Sequence, residues 1–109
     1  MQAKTIEFNQ ELQQVAKFAK VLSHPARIAI LVHLAQTKTC ISGDIAEVLP
    51  LSRTTVSQHL QELKSAGLIK GTIDGLKVNY CLNMDVINEN KTAFDTLFND
   101  MLSVINCDC

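Results

Sequence analysis

Apolar residues along this chain recur with two different periods, and the change of period divides it. Leu12, Val15, Ala16, Ala19 and Leu22 stand at the three-and-four spacing of an amphipathic helix over residues 6–22. Pro25 sits where a helix can open, since the first turn does not need its missing N–H. The pattern then predicts a second helix over 25–36 with Ile28, Leu31 and Leu34 inward. KTCIS reads as a short connector or strand, and Asp44 begins a third helix that Pro50 stops near Leu49. Ser52 is a good N-cap for RTTVSQHLQELKSAG, in which Val56, Leu60 and Leu63 make one apolar stripe and Gly67 supplies the C-cap.

After Gly67 the period becomes two. LIKGTI, the turn pair Asp74 and Gly75, and LKVNYCL predict a hairpin, with Leu76, Val78, Tyr80 and Leu82 on one face. A final helix over 85–105 carries Ile87, Phe94, Leu97, Phe98, Met101, Leu102 and Ile105 as an apolar face too broad for a chain of this size to cover alone. A second copy would cover it.

Three helices, the third long and polar on its outer side, followed by two strands, predict a winged helix-turn-helix: mainly α with a two-stranded β wing. The helix-turn-helix spans about 43–67 and the wing about 68–82, all within a single domain over 1–109. A helix that reads DNA needs short hydrogen-bonding side chains able to enter a major groove roughly 12 Å wide, with a cation or two for phosphate. Ser52, Arg53, Thr54, Thr55, Ser57, Gln58, His59 and Lys64 fit that need, and Lys77 in the wing is set to touch the backbone.

Composition narrows the remaining choices. A chain of 109 residues is one small domain, marginal unless a partner adds buried area. One Tyr, four Phe and no Trp leave little for a base-stacking platform or a large cofactor box. No apolar run reaches membrane-spanning length and the start lacks a signal-peptide core, so a cytoplasmic protein with reduced thiols and no membrane partner is expected. The net charge of −1 hides a division: residues 52–77 carry four Lys or Arg against two acids, whereas 83–109 carry one against five. That excludes a sequence-blind nucleic-acid coat and leaves room for one small positive face. No nucleophile motif and no phosphate-binding glycine loop points to an enzyme.

VLSHPARIAILVHL, DIAEVLPLSRTTVSQHLQELKSAGLIKG and GLKVNYCLN resemble, in order, the second helix, the helix-turn-helix and the wing of the ArsR/SmtB family of bacterial repressors. The match runs from about Val15 to Asn83, with Ser57–Leu60 its most specific part. The resemblance implies a homodimer formed by the first and last helices, binding to double-stranded operator DNA, and release when a metal ion, metalloid or oxidant binds.

The ligand types present then bear on the effector. The last helix holds Glu89, Asp95 and Asp100 but no His, and His24, His33 and His59 lie elsewhere, which disfavours imidazole and hard-ion sites. Thiolates select soft ions such as trivalent arsenic, cadmium, lead or monovalent copper. Cys40 lies near the family's Cys-x-Cys position, although here the run is Cys40, Ile41, Ser42. If TCIS pairs with NYCL, as in winged helices, alternation turns Cys40 and Cys81 outward as neighbours, roughly 4.5 to 5.5 Å apart at Cβ. Cys107 and Cys109 form a Cys-x-Cys that can fold onto an ion held elsewhere. The expectation is a site drawn from Cys40, Cys81, Cys107 and Cys109, the tail pair with one body cysteine preferred over Cys40 and Cys81 completed by one tail thiol, taking trivalent arsenic, with no permanently bound cofactor. Redox or persulfide sensing by the same thiols, or a winged helix that binds protein, are the alternatives.

Overall fold

The computed structural model describes residues 7–37, 41–42, 45–74 and 77–104. In chain order these form α1 (Gln10–Val21), α2 (Pro25–Thr37), β1 (Ile41–Ser42), a single 3-10 turn (Ile45–Glu47), α3 (Arg53–Ser65), β2 (Ile69–Asp74), β3 (Lys77–Leu82) and α4 (Met84–Leu102). Helix α1 starts where the Asn9 side chain accepts the Leu12 amide at 2.9 Å, and α2 opens on Pro25, with the Arg27 amide returning to the His24 carbonyl at 3.0 Å. The helix expected over 44–49 is shorter. Asp44 lies outside the described residues, and Ile45–Glu47 make one 3-10 turn before Pro50. So few residues cannot repay helix nucleation by themselves; Ile45, 3% exposed, holds the turn by burial.

Helix α3 ends in a hydrogen-bonded reversal. Gly67, at φ +83°, lets its own amide reach the Lys64 carbonyl at 2.9 Å and the Leu68 amide reach that of Leu63 at 3.0 Å. The chain then enters the sheet, whose order is β1-β3-β2 and whose pairs are all antiparallel. β2 and β3 pair from Ile69 with Leu82 to Asp74 with Lys77, so Asp74 belongs to the strand rather than to the turn, and Gly75 and Leu76 lie outside the described residues. Gly71 faces Tyr80 across this ladder, and a Cβ there would strike the Asn79 carbonyl. β1 adds to the outer edge of β3, pairing Ile41 with Tyr80 and Ser42 with Asn79.

One core joins these elements: Ile30 and Leu34 from α2, Ile45, the stripe of α3, Leu68 and Ile69, and Tyr80. One sequence expectation changes here. α2 turns Ile30 and Leu34 inward and leaves Ile28 46% exposed, because packing on α3 and the sheet selects the 30/34 side of a helix that is apolar most of the way round. α1 packs on the core through Phe18, Val21 and Leu22, whereas Leu12 and much of its predicted stripe face outward. α1 also lies against α4, where the Phe18 and Phe94 rings meet edge-on at 5.4 Å.

Candidate nucleic-acid interface

The site is built on α3. Ser52 has extended backbone, and its Oγ accepts the Thr55 amide at 3.2 Å, which satisfies one of the helix's open N–H groups. The same hydroxyl donates to Thr55 Oγ1 at 2.9 Å, so these two side chains secure the helix start as well as lining its tip. Val56, Leu60 and Leu63 are buried, at 4%, 7% and 0% exposure, and fix the rotation of the helix about its axis. That rotation leaves Arg53, Thr54, Ser57, Gln58, Gln61 and Lys64 exposed on the opposite side, with Thr55 half-buried at the edge.

His59 departs from this face. It is half-buried, and its Nδ1 accepts a hydrogen bond from Arg27 Nε at 3.2 Å, while its ring lies 5.6 Å from that of His24. Burial, the Arg27 cation and the nearby His24 all push its pKa below the ordinary imidazole value. The sequence signal for this is spacing: position 59 follows Val56 by three and precedes Leu63 by four, which puts it beside the buried stripe. Arg27 was not among the sequence candidates, since an arginine in a helix reads by default as solvated.

Lys77 opens β3, but its side chain lies outside the described set. Cys81, on β3 opposite Lys70, is half-buried and disulfide-bonded. It occupies the alternate face of the strand from Tyr80, as the period-two reading requires. Cys40, Cys107 and Cys109 lie outside the described residues, and among the described residues no three His, Cys, Asp or Glu side chains gather as a metal cluster. On the last helix Asp95 pairs with Lys91 at 2.7 Å. Among the described residues no single helix is long and apolar enough to cross a membrane.

A tight turn leading into a capped helix with an exposed polar side, followed by a hairpin, defines the winged helix-turn-helix class. Comparison with known proteins agrees: residues 22–72 match the helix-turn-helix domain family. The regulator YgaV of Escherichia coli is 30% identical over 76 residues, which cover 70% of this chain and 77% of that protein. The repressor SmtB of Mycobacterium tuberculosis is 34% identical over 71 residues, 65% of this chain and 52% of its own length. An ArsR-like regulator from Rhodococcus superposes with a TM-score of 0.64 at 22% identity, covering 81% of this chain and 82% of that one, and so shares the fold. The chain belongs to the ArsR/SmtB family of helix-turn-helix transcriptional regulators.

Proposed function

We propose that this chain is a repressor that binds operator DNA as a homodimer and lets go when its cysteines react. The observation that carries the DNA reading is the division of α3: its apolar stripe is buried while Arg53, Thr54, Ser57, Gln58 and Lys64 stand in solvent. Two such helices in a dimer would read half-sites about one helical turn apart. The homodimer reading is supported by α1 and α4, where Phe8 just before α1, Leu12 in it, and Phe98, Met101 and Leu102 at the end of α4 are exposed on one chain. Burying side chains of this size is worth about 1.5 to 3 kcal/mol each.

The test is a gel shift of the purified chain on the promoter region of its own gene at several salt concentrations. A retarded complex that weakens as salt rises supports the reading, because phosphate contacts release counterions. A winged helix that serves only protein partners gives no salt-sensitive shift, and that result overturns the reading.

For the effector we take trivalent arsenic, held in the reduced protein by Cys107 and Cys109 with one body cysteine, Cys40 or Cys81, the other arrangement being Cys40 and Cys81 completed by one tail thiol. Ile41 pairs with Tyr80, and the period-two alternation of TCIS and NYCL in the sequence supports taking Cys40 and Cys81 as neighbours. Effector binding of this kind lowers operator affinity through a coupling of about 1 to 3 kcal/mol. One observation favours a second reading, sensing by oxidation: Cys81 is disulfide-bonded. In that reaction two thiols and one peroxide give the disulfide and two waters. Titrating the reduced protein on DNA with arsenite and, separately, with hydrogen peroxide separates the two. Release by arsenite alone supports the metalloid, release by peroxide alone supports oxidation, and release by neither overturns both.

A further inference from the structure

Arg27 makes two contacts that an ordinary surface arginine would not. Near the start of α2 and half-buried, it sends Nη1 to the carbonyl of Val21 at 3.2 Å and Nε to His59 Nδ1 at 3.2 Å. Val21 is the last residue of α1, so its carbonyl is among those a helix end leaves without an intrahelical partner. His59 lies in the middle of α3. A single guanidinium therefore ties the end of α1 to the centre of α3 through α2. α1 belongs to the layer proposed to form the dimer, and α3 is the helix proposed to read DNA.

The bond to His59 also depends on protonation. A guanidinium only donates, so Nδ1 must keep its lone pair and the imidazole must be neutral, with its one proton on Nε2. A second proton would place one cation against another and remove the acceptor. Most of the groups lining the adjoining cleft of about 480 Å³ lean the same way, namely Lys17 and Lys20 of α1, His24 before α2 and Arg27, while the single carboxylate of Glu62 on α3 opposes them.

We propose that Arg27 is a positioning residue for operator binding, and that its bond to His59 is a proton-sensitive tie that fixes the recognition helix relative to α1. The proposal rests on the operator-binding reading. Its sign follows from the lowered pKa of His59. Above the ordinary imidazole value of about 6.5, folded and unfolded chains both hold His59 neutral and the tie is intact; as pH falls below that value the tie resists a proton that the unfolded chain accepts, and the arrangement weakens. DNA binding in general strengthens on acidification as proteins gain positive charge, so a loss would run against the common trend.

The experiment measures affinity of the full chain, thiols reduced, for a promoter duplex and a scrambled duplex at about pH 8 and about pH 6 and fixed ionic strength. Because the His59 pKa lies below the ordinary imidazole value, proton uptake at about pH 6 is partial, and the wild type should lose operator affinity between the two by at most about fourfold, with no loss on the scrambled duplex. Arg27→Gln should already be weakened roughly tenfold at the higher pH and change little on acidification. His59→Asn keeps an acceptor at the δ position but cannot take up a proton there, so its affinity ratio between the two pH values should fall towards one. His24→Asn removes one of the groups that hold the His59 pKa down, so it should keep the loss on acidification or enlarge it, and not abolish it. Should Arg27→Gln lose helicity by circular dichroism, the His59→Asn ratio decides, and imidazole nitrogen NMR of the wild type without DNA must show the proton on Nε2. A wild type that binds operator equally well at both pH values, or an Arg27→Gln protein with wild-type affinity and profile, overturns the tie alone. A wild type that forms no complex at either pH overturns the operator reading, and the positioning role with it.

Discussion

Helices α3 and α4 are both amphipathic, yet one chain completes only the first. α3 hides its whole apolar stripe and offers solvent a row of amides, hydroxyls and cations. α4 is covered by α1 and the core along its first turns, through Val86, Ile87 and Ala93, but its far end leaves Phe98, Met101 and Leu102 at 51%, 52% and 79% exposure. The exposed side of α3 therefore suits a polar, charged partner, and the exposed end of α4 suits an apolar one. A soluble monomer has no use for the second surface, since isolated apolar residues are common but a cluster along one helix end is not.

The contrast breaks most severely where α3 is anchored. Leu63→Ala removes a side chain with no exposure from the core that Ile30, Leu34, Ile69 and Tyr80 share, and should cost about 2 to 5 kcal/mol in urea unfolding. It should also lower operator affinity by loosening the rotation of the polar face. A native stability within error of wild type would mean that the stripe is not what sets that face.

Met101→Asp strikes the other side of the comparison. It puts a charge on the exposed end of α4, and the proposed homodimer should weaken by about 1.5 to 3 kcal/mol, visible as monomer in sedimentation at micromolar protein. Because Met101 is half-exposed in the single chain, helicity should survive. A fully dimeric variant would place the interface elsewhere.

Ser52→Ala tests the cap that aims α3. The side chain bonds both the Thr55 amide and the Thr55 hydroxyl. Its loss should cost about 1 kcal/mol of stability by thermal unfolding. An effect on operator affinity larger than that would show that the hydroxyl also meets DNA.

How much of this was legible in the sequence follows the same division. The stripe of Val56, Leu60 and Leu63, the Ser52 cap and the Gly67 reversal are local, so periodicity and residue type suffice to find them. The alternation of Tyr80 and Leu82 against Cys81 is local too. What was missed needs the third dimension. Ile28 and Ile30 are chemically alike, and only packing on α3 decides which one is buried. Leu12 keeps the helical spacing of α1 but stays half-exposed in the single chain, and periodicity cannot say whether the core or a second copy covers such a stripe. His59 reads as one more polar residue of a recognition helix until Arg27, 32 residues earlier, is brought against it.

The smallest effect belongs to the most conspicuous ion pair. Lys91 and Asp95 stand one turn apart on α4 with N···O at 2.7 Å, but their side chains are 70% and 56% exposed. Water screens both charges, and holding two long side chains in one geometry costs entropy that offsets most of the attraction. The order within the helix is also the less favourable one, since a cation four residues ahead of an anion opposes the helix dipole. Lys91→Ala should therefore change stability by no more than about 0.5 kcal/mol, read from chemical unfolding, and leave the dimer intact. A shift in dimerisation on this substitution would move the interface away from the apolar end of α4 towards its middle, and would undo the contrast between the two helices.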